Sequence, residues 1–302
     1  MELEGLHQAP FCCTMMGALR GALTYYGVAA TDALLYGASG HAFVLNIHKE
    51  LCPSGPYVWD SDKIEPLIAH LGVRREFLGF YHPGSSAEER AALEERLREH
   101  LNQGRPCMLL NMENQLILGY DSDGFVAAQP CPIGDFPPGR LTYGTWSELG
   151  EEIHICFYAL HRCEPADLRT SIVDSLRYAV SLWRDPKSHT SEDYGMGPDA
   201  YRNWSSAVAA GHGGHHGNWW NAMVWSECRA RAAEYFTEIA SELPSPEDAA
   251  ALSQGYAKIA QLLSQCADKD LNEATKLELL TEAAAEEKAC IARIERVLGA
   301  ID

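Results

Sequence analysis

Positive charge is scarce in this chain. Lys and Arg number 24 among 302 residues, against 42 Asp and Glu, for a formal net charge of −18. Such a surface repels a phosphate backbone and disfavours both a broad nucleic-acid interface and an anionic bilayer. Long apolar runs are missing too: none reaches the ~18 residues that would span a membrane. The N-terminal MELEGLHQAP has no basic stretch followed by an apolar core, so it does not read as a signal peptide. Ten cysteines are present, but no two stand as CxxC, which removes the usual structural zinc pattern. Reduced thiols and a cytoplasmic location are the expectation. There is no GxGxxG fingerprint, no Walker loop, no GxSxG elbow and no HExxH. Dinucleotide enzymes, P-loop NTPases, α/β serine hydrolases and zincins are therefore not indicated, and no cofactor is expected.

What remains is an ordinary globular composition, with 46% hydrophobic and 22% charged residues, long enough for two domains. Residues 12–26 are small and apolar. Met16, Leu19, Leu23 and Tyr26 fall at helical spacing, Pro10 precedes them and Gly27 is placed to end the helix. Gly17 and Gly21 inside it mark close packing. Residues 42–47 read as a buried strand and 62–71 as a short helix. Ser86 and Glu89 form a capping box for a helix over 86–103, with Leu93, Leu97 and Leu101 on one face. Residues 107–130 read as strand, strand, turn and strand, with the hairpin turn at 121–124, and residues 153–161 as a further strand. Beyond Cys163 helical periods dominate, over 166–183, 198–210, 218–241, a segment opening at Pro246, and 271–298. The expected organisation is a mixed α+β domain over 1–162 and an all-helical domain over 163–302.

Cys12 and Cys13 open the first helix. A thiol at a helix N-terminus feels the positive end of the dipole, which lowers its pKa, and nearby N–H groups can hold an oxyanion. Cysteine is equally a residue that simply packs. Cys13, nearer the helix, is the preferred nucleophile.

A cysteine opening an apolar helix that ends in YYG, a strand pair ending in LGYDSDGFVAAQP and a final strand together resemble the papain-like cysteine fold. The nearest likeness is to the bacteriocin-leader peptidases and to the N-terminal domain of butirosin biosynthesis protein H, an acyltransferase that carries its acyl group on cysteine. The phrase GHAFVLNIHKELCPSGPYVWD is similar to an uncharacterised bacterial family related to that domain. The resemblance covers residues 8–162 and implies a cysteine nucleophile with an imidazole base. Two positions depart from it. Where those peptidases carry histidine, six residues before the Gly-Tyr of the hairpin, this chain has Glu113; where they carry Asp or Asn before the closing Pro, it has Gln129. Glutamine cannot take a proton, and a carboxylate beside a thiolate raises the thiol pKa.

His41, between Gly40 and the following apolar run, is the candidate to replace the missing base, against the plainer reading of a strand-edge histidine bonded to backbone. The loop 53–60, with Ser54, Tyr57 and Trp59, suits a rigid pocket wall as well as a structural turn. Glu113, Gln115 and Gln129 are expected to line the site, with Asn111 beside them. In the second half GHGGHHGNWWN reads as a lid or a helix start whose Asn218 or Asn221 could cap it. His216 and Trp219 are carried as substrate contacts, and Trp219, Trp220 and Trp225 as interdomain core. Metal binding by His212 and His216 is the lesser reading, because the glycines oppose a helix there and no carboxylate is adjacent. No metal site is expected. Residues 194–198 read as a stiff connection between two helices.

The leading expectation is cysteine-dependent acyl transfer or amide hydrolysis on a small-molecule or amino-acyl substrate through a covalent thioester. Its rival is a catalytically degenerate protein that binds a small molecule without turnover. Nucleic acid and membrane are not expected as partners, and a homodimer is the one protein assembly considered.

Overall fold

The computed structural model describes residues 1–130, 136, 138–149 and 154–301. In chain order these form α1 (Thr14–Tyr25), α2 (Asp32–Ala38), β1 (Asn46–His48), α3 (Glu65–His70), β2 (Val73–Tyr81), α4 (Ala87–Asn102), β3 (Cys107–Leu110), β4 (Asn114–Tyr120) and β5 (Gly124–Ala127). They continue as β6 (Arg140–Thr142), β7 (Ile155–Arg162), α5 (Leu168–Arg184), β8 (Tyr194–Met196), α6 (Pro198–Ala209), α7 (His216–Glu238), α8 (Pro246–Cys266) and α9 (Glu273–Ile301). The chain is thus a mixed α+β protein. Among the described residues no helix is long and apolar enough to cross a membrane.

Packing divides the chain into two compact units, Met1–Ala30 with Gly72–Pro165, and Thr31–Leu71 with Ala166–Asp302. The first unit is built on a six-stranded antiparallel sheet in the order β2-β7-β3-β4-β5-β6. Much of its apolar surface is closed off from water: Met108, Leu116, Ile117, Phe125, Leu141, Phe157 and Leu160 are all fully buried, whereas Phe77 and Phe80 of β2 are exposed. Helix α1 lies against β4, and a Cβ at Gly17 or Gly21 would overlap the carbonyl oxygens of Ala9 or His7. The two glycines therefore let the N-terminal strap run directly over the helix, the close packing expected of them. Helix α4 begins at the expected capping box: Ser86 Oγ accepts from Glu89 N–H at 3.1 Å, and the Glu89 carboxylate accepts from Ser86 N–H at 2.7 Å.

The second unit is helical, apart from the two-stranded ladder in which β1 pairs antiparallel with β8. Helix α7 packs on α2 and α8, and α9 packs on α5, α6 and α8. At its centre Arg229, fully buried on α7, donates to the carbonyls of Ala42 at 2.9 Å and Val44 at 2.7 Å and pairs with Glu287 of α9 at 2.6 Å. Tyr201 of α6 donates to the other Glu287 oxygen at 2.5 Å. Burial, together with that anionic neighbour, holds the Tyr201 hydroxyl well above the ordinary tyrosine range.

Three expectations differ from what forms. The stretch 1–162 is not one unit, because residues 31–71 pack with the helices. Gly37 of α2 meets the Tyr235 ring of α7 so closely that a Cβ would overlap it, and Arg229 gathers the carbonyls of residues 42–44. For the same reason residues 42–47 are not a strand. Their apolar side chains are buried, but a 3-10 turn at His41–Phe43 presents its carbonyls to a guanidinium rather than to a ladder, and β1 is only Asn46–His48. Residues 194–196 are not a bare connection: β8 supplies β1 with a partner before Pro198 starts α6. Neither α2 nor β2 is evident in the sequence pattern. Residue 153, expected to begin a strand, lies outside the described residues, and β7 runs from Ile155.

Glu287→Ala is expected to lower stability by about 3–5 kcal/mol, because it leaves the Arg229 charge buried without its partner. The double replacement Arg229→Met with Glu287→Leu is expected to cost less than that, a difference that urea unfolding of the two variants measures directly.

Candidate functional site

The first unit places Cys13 as the N-cap of α1, with φ −76° and ψ 87°, its carbonyl accepting from Gly17 N–H at 3.1 Å. Cys13 is 4% exposed, and Cys12 is half-buried. The start of the helix is stitched to the start of β4. Thr14 Oγ1 donates to Glu113 Oε2 at 2.7 Å and accepts from Asn114 N–H at 3.1 Å. Gln8 bridges the same elements, donating to the Asn114 carbonyl at 2.8 Å and accepting from Leu116 N–H at 2.7 Å. The buried Glu113 carboxylate, at the place where the resemblance calls for histidine, is thus engaged by the hydroxyl next to Cys13 in sequence, where it fixes the helix end.

The other predicted residues of this unit play a different part. Gln115 is fully buried and donates to the carbonyls of Ala128 at 2.8 Å and Pro138 at 2.9 Å. Gln129 is exposed and clamps Phe136 through both its amide oxygen, at 2.8 Å, and its nitrogen, at 3.3 Å. Gln115 and Gln129 thus both bond to the backbone of Phe136. Asn111 sits in the turn between β3 and β4, its N–H on the Glu113 carbonyl at 3.3 Å.

The second unit builds a cage around His41. Gly40, at φ 76°, turns the chain through the left-handed region and drops His41 into the core at 1% exposure. Its Nδ1 lies 3.6 Å from Cys228 Sγ on α7. Trp225, one turn earlier on the same helix, stacks on the imidazole with ring centres 6.3 Å apart and planes 21° apart. Trp59 meets it edge-on at 5.7 Å and Tyr36 at 6.3 Å. Each aromatic is tied down: Trp59 Nε1 donates to the Pro56 carbonyl at 3.0 Å, Trp225 Nε1 to Asn221 Oδ1 at 3.1 Å, and Tyr36 to Glu227. His41 thus stands in a side-chain cage on a 3-10 turn and not on a strand edge.

The loop 53–60 is rigid for stated reasons. Asn46 Nδ2 donates to the carbonyls of Gly55 at 2.8 Å and Val58 at 2.9 Å, Tyr57 accepts from Trp220 at 2.7 Å, and Ser54 shares a hydrogen with Tyr194 at 2.7 Å. Tyr57 and Trp59, with Asp60 and Thr190, line a surface hollow of about 480 Å³, within the size of a small-molecule site. His216 is exposed and pairs with Trp219 at a ring separation of 5.2 Å, with Lys269 over the indole. Asn218 and Asn221 do not cap α7, which begins at His216. Asn218 accepts from Trp204 and donates to the Cys266 carbonyl, and Asn221 reaches the Cys52 carbonyl. Trp220 and Trp225 are core of this unit. Among the described residues His212, His215 and His216 join no group of three metal-ligating side chains.

Cys228 was not legible as a site residue. Its only signal is spacing, three residues after Trp225 and seven after Asn221, which puts all three on one helix face. The remaining thiols sort by burial. Burial pushes Cys266 and Cys290 up to about 12 and raises Cys107, Cys156 and Cys163 as well, so these five stay protonated near neutrality.

No protein-family model matches the chain, and no curated protein matches it.

Glu113→Ala is expected to cost about 1–3 kcal/mol by stranding the Thr14 hydroxyl, and Glu113→Gln, which can still accept, distinctly less; chemical denaturation of the pair reads the difference.

Proposed function

We propose that this protein is a cysteine enzyme of the acyl-transfer class, acting on a small-molecule or amino-acyl substrate, and that its first unit is a papain-like domain. The observation that carries the reading is Cys13 as the N-cap of α1. A thiol in that position has the helix dipole to favour its thiolate and helix N–H groups to hold an oxyanion. The packing of α1 on an antiparallel sheet supports the papain-like part.

In the reaction the Cys13 sulfur bonds to the carbonyl carbon of a thioester or amide. The carbon–sulfur or carbon–nitrogen bond of the donor breaks, and the thiol proton passes through an imidazole to the leaving thiol or amine. Water or an acceptor amine then takes the acyl group and returns the proton. The proposal gives the imidazole's part to His41. The hollow beside Tyr57 and Trp59 supports a small substrate.

The 4% exposure of Cys13 and the structural use of Glu113 and Gln129 favour a second reading, a ligand-binding protein that has lost turnover.

Iodoacetamide titration over pH 5–9 with mass-spectrometric mapping separates the two. Acyl transfer requires Cys13 to label with a midpoint at least about one unit below the free-thiol value of ~8.5, while the five burial-raised cysteines stay silent. It also requires p-nitrophenyl acetate to leave one acetyl group on Cys13, at a rate that His41→Ala lowers about 10²–10⁴-fold. Slow labelling of Cys13, or labelling only near the free-thiol midpoint, rejects it in favour of ligand binding.

A further inference from the structure

We infer that the hollow at Tyr57, Trp59 and Asp60 binds an organic ammonium, with the Asp60 carboxylate as its counter-ion and the two rings as its walls. That this ammonium belongs to the substrate rests on the acyl-transfer reading above; the binding itself does not.

Asp60 alone carries charge among the side chains that line the hollow, which are otherwise aromatic, apolar or hydroxylic. Its Oδ1 accepts from Asp62 N–H at 3.2 Å, the cap of a 3-10 turn. Among the described residues its Oδ2 accepts from no donor, and no cation pairs with the carboxylate. Lys63 is engaged elsewhere: its ammonium donates to the Ser188 hydroxyl at 2.9 Å and to the Ser188 carbonyl. A carboxylate with an open oxygen beside aromatic rings suits a protonated amine, which gains a charge-assisted hydrogen bond and cation–π attraction together.

The wall behind the hollow adds no positive charge. His189, between the lining residues Ser188 and Thr190, is 3% exposed. Ser181 has one hydroxyl hydrogen, and it goes to the Tyr178 carbonyl at 2.7 Å, so the Ser181 oxygen accepts from His189 Nε2–H at 3.2 Å. The neutral imidazole therefore keeps Nδ1 as a bare acceptor, and that buried atom has no partner among the described residues. The buried Tyr178 hydroxyl has none either, and its ring centre lies 5.5 Å from the imidazole. Burial, with Lys63 second, holds the His189 imidazole below its ordinary range. Burial, with Asp60 second, holds the Tyr178 hydroxyl well above its own. Of the charged side chains acting on His189, Asp60 and Asp185 are acids against the base Lys63, so anionic charge prevails at this wall.

Trp59 is shared between the hollow and the cage, its ring centre 5.7 Å from that of His41. An amine held on a carboxylate stays protonated and has no lone pair with which to attack a carbonyl. Within the acyl-transfer reading the ammonium is therefore a recognition handle and not the acceptor, and the substrate class is amino-acyl donors with a free amine.

The test is titration of the full chain, labelled with ¹⁵N-tryptophan, with benzylamine near neutral pH, and with benzyl alcohol and benzoate as its neutral and anionic counterparts. The indole N–H signal of Trp59, assigned by its loss in Trp59→Phe, is expected to shift saturably with benzylamine. Benzyl alcohol is expected to bind about 10-fold more weakly, and benzoate not at all. Asp60→Asn keeps an oxygen for Asp62 N–H and is expected to abolish that preference, whereas Asp62→Asn, which removes a neighbouring charge, leaves it. Equal binding of amine and alcohol, binding of benzoate, no saturable shift, or equal loss in the two variants overturns the inference. The wild-type titrations decide even where a variant fails to fold. Acylation of Cys13 by glycine p-nitrophenyl ester is expected to slow about 10-fold in Asp60→Asn, with p-nitrophenyl acetate unaffected. Saturable benzylamine binding in a protein whose Cys13 never acylates refutes the acyl-transfer reading and leaves the ammonium site standing.

Discussion

The interaction on which the second unit depends is the buried pair of Arg229 and Glu287. A guanidinium taken wholly out of water is costly, and it is tolerated only where nearly every donor finds an acceptor. Here the acceptors are one carboxylate and the carbonyls of three consecutive residues, Ala42, Phe43 and Val44. Those carbonyls belong to a segment with no sheet neighbour over most of its length. The guanidinium does the work that a β-ladder would otherwise do, and the polypeptide is free to tighten into a 3-10 turn. The left-handed Gly40 and the turn together bring His41 inward, so the orientation of the imidazole in this unit's aromatic cage follows from a charge pair on α7 and α9, far away in sequence.

The first unit solves a similar problem with neutral and acidic groups. The end of α1 that carries Cys13 is held to β4 through Gln8, Thr14, Glu113 and Asn114. A helix end fixed in this way keeps its N–H groups and its capping residue in one place. The carboxylate at 113 accepts from the Thr14 hydroxyl and so takes part in that hold. The cysteines then divide according to surroundings: Cys107, Cys266 and Cys290, sunk into apolar cores, are held as thiols by burial, whereas Cys13 stands at the N-cap of α1.

Much of the fold was legible because it depends on neighbours in the chain. The capping box at Ser86 and Glu89, the leucine stripe of α4, the Asp121–Gly124 turn and the long periods of α5 to α9 are written within one or two turns of themselves, and each is found near its expected place. The glycines of α1 carried their meaning for the same reason, since a missing Cβ in an apolar helix has few other uses. What failed were readings of short segments whose backbone is set by a distant partner. Residues 42–47 have the composition of a buried strand, and burial was right, but backbone conformation went to whichever group satisfied the carbonyls. Strand β8 looked like a linker because a three-residue strand exists only if β1 lies beside it.

The candidate site shows the same division. Composition and local pattern alone determined that this is a mixed α+β protein, that a cysteine opens its first helix, and that a histidine follows a glycine ahead of a buried apolar run. Tertiary structure decided the rest: that residues 31–71 join the C-terminal helices, that Gln129 bonds to the Phe136 backbone, and that a partner of His41 Nδ1 is Cys228, 187 residues away. The physical reason is range. Helix caps, turns and periodicity are short-range and leave their mark in adjacent letters, whereas a hydrogen bond across a core is set by packing, which no window of sequence contains.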